Sequence, residues 1–83
     1  MSDTLVFHAA APGGGEGYVL LLERLDAAGR LRWRRWSSVD YLAPAQEGTS
    51  TTDEVARLVE GWARDGWSLN ESPHRINSWL CAR

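Results

Sequence analysis

The densest local chemistry in the sequence lies in Arg30-Leu31-Arg32-Trp33-Arg34-Arg35-Trp36, four arginines interleaved with two tryptophans. On an extended strand, alternation puts Arg30, Arg32 and Arg34 on one face with Trp36 beside them. Guanidinium groups in that arrangement can track phosphates while an indole stacks on a base, as a single-strand nucleic-acid binder requires. The same side chains suit a protein interface, where Arg supplies forked hydrogen bonds and Trp supplies contact area. A blander reading makes the arginines the solvated face of a half-buried sheet, their stems covering neighbouring leucines. The formal net charge of the chain is −2, from nine Arg, no Lys and eleven Asp plus Glu. A dedicated nucleic-acid binder carries a strong basic excess, so protein contact is the preferred use and nucleic acid the alternative.

Other reactive groups are sparse. His8, His74 and Cys81 make a nucleophile–base pair only if the fold brings them together with a third group to orient the base. No two of them stand at metal-ligand spacing, which argues against zinc. The neighbouring carboxylates Asp53 and Glu54 are explained by helix capping rather than acid–base work. Gly13, Gly14, Gly15 and Gly17 form a run able to cradle an anion. It lacks the Gly-Lys-Ser/Thr ending of a phosphate loop, a strand rather than a helix follows it, and its spacing misses the dinucleotide fingerprint. It is a flexible linker or hairpin loop. No cofactor, no metal and no catalytic residue is expected.

The Arg/Trp segment must be positioned by a hairpin. Residues 18–25 are a strand rich in apolar residues, and 30–39 the return strand. Between them Asp26-Ala27-Ala28-Gly29 suits a type I turn followed by a left-handed residue. That turn sets Leu25 opposite Leu31 and Glu23 near Trp33; a slip by one residue, setting Glu23 against Arg32, stays open. In the first register Val19, Leu21, Leu25, Leu31 and Trp33 share the core face. Arg24, Arg30, Arg32, Arg34 and Trp36 share the outer face with Leu20 and Leu22. The candidate interaction residues are therefore Arg30, Arg32, Arg34, Trp36, Leu20 and Tyr18. Outer Tyr18, Leu20, Leu22 and Trp36 make an apolar patch that a partner would cover.

Around the hairpin, residues 4–9 are a short edge strand or a loosely attached arm, and 40–50 read as a loop. The clearest element is a helix over 52–65. Thr51 and Glu54 form a capping box, Val55, Leu58, Val59 and Trp62 make one stripe, and Gly66 ends it. Residues 67–71 alternate as a strand, 72–75 turn, and 76–83 read as a closing strand. The fold expected is α+β: a small antiparallel sheet, strand-strand-helix-strand-strand, with one amphipathic helix on one face. Residues 1–17 form an N-terminal arm or short edge strand plus the glycine loop, and 18–83 a single domain. Val19, Leu21, Leu25, Leu31, Trp33, Val55, Leu58, Val59, Trp62, Trp67 and Leu69 are its expected core.

The helix running into Gly66-Trp67-Ser68-Leu69, followed by a last strand ending in Arg83, resembles a family of small bacterial domains of unknown function. There the helix leads into Gly-Trp-Glu-Leu and the closing strand ends in a basic residue; here Ser68 replaces the Glu. The resemblance covers residues 52–83 and implies the fold without an activity.

At 83 residues with 43% hydrophobic and 24% charged side chains, the chain makes one small globular domain. Five tryptophans compensate for a small core, with one or two left over for contact. No apolar run approaches a membrane span. The first eleven residues lack a basic region and contain Asp3, unlike a secretory signal, so the Asn70-Glu71-Ser72 sequon carries no meaning. A single cysteine fits a reducing, cytoplasmic setting. The expected function is a non-catalytic interaction module, a homodimer or adaptor, with single-stranded nucleic-acid binding through residues 30–36 as the alternative.

Overall fold

The register of the central hairpin is set by its turn. In the computed structural model, which describes residues 3–40 and 42–81, Asp26 Oδ1 accepts from the Ala28 N–H (3.0 Å) and the Arg30 N–H (3.2 Å). Gly29 takes φ +94°, a conformation costly for a side-chain-bearing residue. The Leu25 N–H then donates to the Arg30 carbonyl at 2.9 Å. Four residues thus separate Leu25 from Arg30, and β2 (Gly17–Arg24) meets β3 (Arg30–Ser37) with Glu23 opposite Arg32 and Leu22 opposite Trp33.

This is the register one residue away from the one that set Leu25 against Leu31, and it inverts the expected faces of β2. Leu20 and Leu22 point into the core, Val19 and Leu21 point away, and Leu25 is exposed. Residues 18–22 are apolar at every position, so their pattern is compatible with either face and the turn length decides.

Strand β1 (Thr4–Ala10) pairs with β2 along its whole length. It is a full strand of the sheet rather than a loose arm, and among the described residues β5 (Ser68–Leu69) pairs on its far side at Ala9 and Ala10 only. At the opposite end β4 (Gln46–Thr51) pairs with β3 where a loop was expected. Its sequence, Gln-Glu-Gly-Thr-Ser-Thr, has no apolar alternation, because an edge strand beyond the main core buries little. Among the described residues the five strands run β4-β3-β2-β1-β5, every neighbouring pair antiparallel.

Helix α1 (Thr52–Arg64) forms as its sequence dictates. The Thr51 hydroxyl accepts from the Glu54 N–H at 3.2 Å and lies 3.3 Å from the Glu54 carboxylate. At its C-terminus the Trp67 N–H donates to the Trp62 carbonyl (2.9 Å) and the Gly66 N–H to Ala63 (3.3 Å), the paired bonds of a Schellman ending. The hydrophobic contact that accompanies such an ending is supplied by the stacked Trp62 and Trp67 rings, centroids 5.2 Å apart.

The expected closing strand is instead a second helix, α2 (Pro73–Cys81). The Ser72 hydroxyl accepts from the Arg75 N–H at 3.1 Å, and Pro73 stands at the first helical position, where its missing N–H costs nothing. Buried Ile76 and Leu80 are four residues apart, on one face. Arg83, the basic residue of the resemblance, lies outside the described residues.

Both helices cover the same side of the sheet. Phe7, Ala9, Leu20, Leu22 and Leu31 meet Val55, Val59 and Trp62 of α1 and Ile76 and Leu80 of α2 in one core. Trp33, Trp67, Leu69 and Trp79 pack against it, whereas Leu58 faces solvent. The fold is α+β, and among the described residues one sheet face is covered and the other bare. Among the described residues no helix is long and apolar enough to cross a membrane.

Candidate interaction surface on the open sheet face

Strand alternation carries a second set of side chains to the bare face. The cross-strand pairs place Val6, Leu21, Arg34 and Glu47 in one row, and His8, Val19 and Trp36 in the next. Glu23, Arg32 and Thr49 make a third. Val6 is 52% exposed, and Val19, Leu21 and Trp36 are half-buried. Apolar side chains therefore occupy the middle of a face that a solvated antiparallel sheet would fill with polar ones.

Of the sequence-derived candidates, Arg30, Arg32, Arg34 and Trp36 lie on this face. Leu20 does not: it is 4% exposed, beneath the helices. Tyr18 shares the covered side, its ring stacked near Trp62 (6.4 Å) and Trp67 (6.1 Å). Both corrections come from the one-residue change of register. Val6, Val19, Leu21 and His8 take their places, and the sign available for Val19 and Leu21 was the unbroken apolar run of β2, half of which any sheet must leave on its second face.

The arginines are met by carboxylates. Arg34 Nε lies 2.6 Å from Glu47 Oε1, Arg32 Nη2 3.8 Å from Glu47 Oε2, and Arg30 Nε 3.2 Å from Asp26 Oδ2. Exposed pairs of this kind add little stability, but each offsets charge that a phosphate would seek. Arg35 turns to the covered side, where it bonds Gln46 and its guanidinium carbon sits 4.5 Å from the Tyr18 ring centroid. Arg24 also turns there, bonding the Trp79 carbonyl and lying 4.0 Å over its ring.

At one corner of the open face, His8, Val19 and Trp36 join Ser37, Ser38, Asp40 and Ala43 around a hollow of about 380 Å³. The loop that completes it is shaped by its own side chains. The Ser37 hydroxyl accepts from the Val39 and Asp40 N–H groups, each at 3.2 Å, and Asp40 Oδ1 from the Leu42 N–H at 3.2 Å. Where the strands meet the loop, Gly17 gives room: a β-carbon there would stand 2.5 Å from Ser38 Oγ. His8 is held from the other side, its N–H donating to Asn70 Oδ1 at 2.7 Å.

His74 and Cys81 belong to opposite ends of α2, on the far side of the sheet from His8. Among the described residues no group of three His, Cys, Asp or Glu side chains gathers as a metal site would need. The architecture defines an α+β domain with two helices on one sheet face and an apolar, open second face. The chain matches no protein-family model, no curated protein and no solved structure.

Proposed function

We propose that this protein is a small non-catalytic interaction module acting through protein–protein contacts on the open face of its sheet. One observation carries the proposal: Val6, Val19, Leu21 and Trp36 stand together on the face that neither helix covers. A monomer gains nothing by presenting apolar side chains in the middle of a sheet to water, whereas a partner that covers them gains their burial. Trp and Arg at the margin are the residue types that anchor such contacts. The pairing of Arg32 and Arg34 with Glu47 favours a protein partner over a nucleic-acid strand, which calls for uncompensated cations. The free, exposed Cys81 suits a reducing, cytoplasmic setting.

The test places a photo-activatable benzophenone side chain at position 6 or 21, in the protein's own cells, with position 57 on the solvent side of α1 as the control. Positions 6 and 21 are expected to give a discrete cross-linked polypeptide, and position 57 none. No cross-link at 6 or 21 overturns the proposal, and cross-linked nucleic acid in its place hands the face to the alternative.

A further inference from the structure

The two edges of the sheet are built differently. On the β1 side, β5 supplies only two residues. Asn70 then takes up both backbone groups of His8: its N–H donates to the His8 carbonyl at 3.2 Å, and its Oδ1 accepts from the His8 N–H at 2.7 Å. The chain leaves that edge for α2 at Pro73. On the far side β4 runs for six residues in unbroken register, with neither bulge nor proline. The chain has no lysine, the residue that most often guards a natural edge against strand pairing. The one charge of β4, Glu47, is drawn back over its own sheet by Arg34 (2.6 Å) and Arg32 (3.8 Å).

Alternation of hydrogen bonds fixes which backbone groups β4 presents. The Leu25–Arg30 and Gly17–Ser38 bonds turn the even-numbered residues of β3 toward β2. Leu31, Trp33 and Arg35 therefore bond β4 through Ser50, Gly48 and Gln46. The N–H and C=O groups of Glu47 and Thr49 point out of the sheet, and among the described residues no strand pairs with them.

We infer that β4 pairs with β4 of a second copy of the chain, antiparallel about a two-fold axis at Thr49, which joins two sheets into one. The inference concerns the edge alone and does not rest on the open-face reading. A two-fold edge pair requires a strand complementary to its own reverse, and Gln46–Thr51 is such a strand. About the axis the two Thr49 residues exchange both N–H···O=C bonds. Glu47 of each copy then stands opposite Thr51 of the other, and Gly48 opposite Ser50. No like charges meet, because the two Glu47 carboxylates fall on opposite sides of the axis, each facing a threonine hydroxyl. The Thr49 pair sets one β-branched side chain against another, a favourable cross-strand contact. Gly48 and Ser50, the residues across from each other on the covered side, are both small. The chain carries the complement of its own edge, so the second copy is the occupant, and the two-fold closes the assembly at two copies.

The test is light scattering on the full-length protein from about 1 μM to about 1 mM, comparing wild type with variants at position 49. The wild type is expected to dimerise, and its Thr49 amide to gain protection from hydrogen exchange as the concentration rises. Thr49→Pro removes an N–H that the protein's own sheet does not use, a substitution edge strands tolerate. With two symmetric bonds lost, association is expected to weaken by roughly 30-fold or more. Thr49→Lys and Thr49→Glu keep the backbone and set like charges against each other at the axis. Each is expected to be monomeric alone, and an equal mixture of the two to form a heterodimer; circular dichroism checks that both are folded. A wild type that stays monomeric at every concentration overturns the inference. So does a dimer that survives Thr49→Pro, or a Lys and Glu pair that fails to recombine on mixing. The cross-linking at positions 6 and 21 decides the open-face reading separately.

Discussion

A β-carbon added at Gly48 would stand 2.6 Å from the Trp33 ring, because that indole lies flat over the edge strand and takes the space of a side chain. Added at Gly61, in the body of α1, it would meet nothing within 4 Å. The same change therefore has opposite signs at the two positions. Gly48→Ala forces the indole off its seat and is expected to cost about 1–3 kcal/mol. Gly61→Ala only reduces the freedom of the unfolded chain and strengthens the helix, a gain of about 1 kcal/mol. Urea unfolding followed by tryptophan fluorescence reads both, and a Gly48→Ala protein as stable as wild type would show that Trp33 is not held over the edge strand.

Among the elements, α1 was legible because independent local features agree on it: a cap, an apolar stripe, matched end charges and a terminating glycine. Helix α2 carries the same grammar in shorter form, Ser72 then Pro73 with Ile76 and Leu80 behind them. At nine residues it is below the length at which local propensity sustains a helix, and packing on the core completes it. A cap matters most to an element so short. Ser72→Ala removes the acceptor for the Arg75 N–H and is expected to cost about 1 kcal/mol. Amide exchange over residues 73–81 checks this: faster exchange confined to α2 is the expected outcome, and unchanged protection there would deny the serine its capping role. Strand β4 lacked any such grammar, since its partner β3 supplies both its hydrogen bonds and the ring that covers Gly48.

For the whole molecule, β1 is the element whose position changed most between the linear pattern and the fold. Phe7 is fully buried, with its ring edge-on to Trp62 at 6.5 Å, so the first strand links the sheet to α1. Stability for 83 residues is on the order of 4–12 kcal/mol at roughly 0.05–0.15 kcal/mol per residue. Phe7→Ala costs about 3–5 kcal/mol, a large share of that total. Its urea midpoint is expected to fall steeply, and the variant approaches an unfolded chain. A midpoint close to wild type would return residues 4–10 to the status of an arm.

The sequence by itself determined the class of fold, helix α1 with both its ends, the existence of the β2–β3 hairpin and the outward face of β3. Each is written in local chemistry: capping groups, a 3.6-residue stripe, an Asp–Gly turn, arginines alternating with Leu31 and Trp33. Only the tertiary structure decided which side of β2 is buried, that residues 76–81 are helical, and that 46–51 join the sheet. The proposed interaction surface depended on the first of these. A one-residue shift in register carried Leu20 and Tyr18 to the covered side and brought Val19 and Leu21 out beside Trp36. A run of apolar residues has no preferred face until turn geometry and the layer of helices choose one, and the face left over is the open one, with Val19, Leu21 and Trp36 on it.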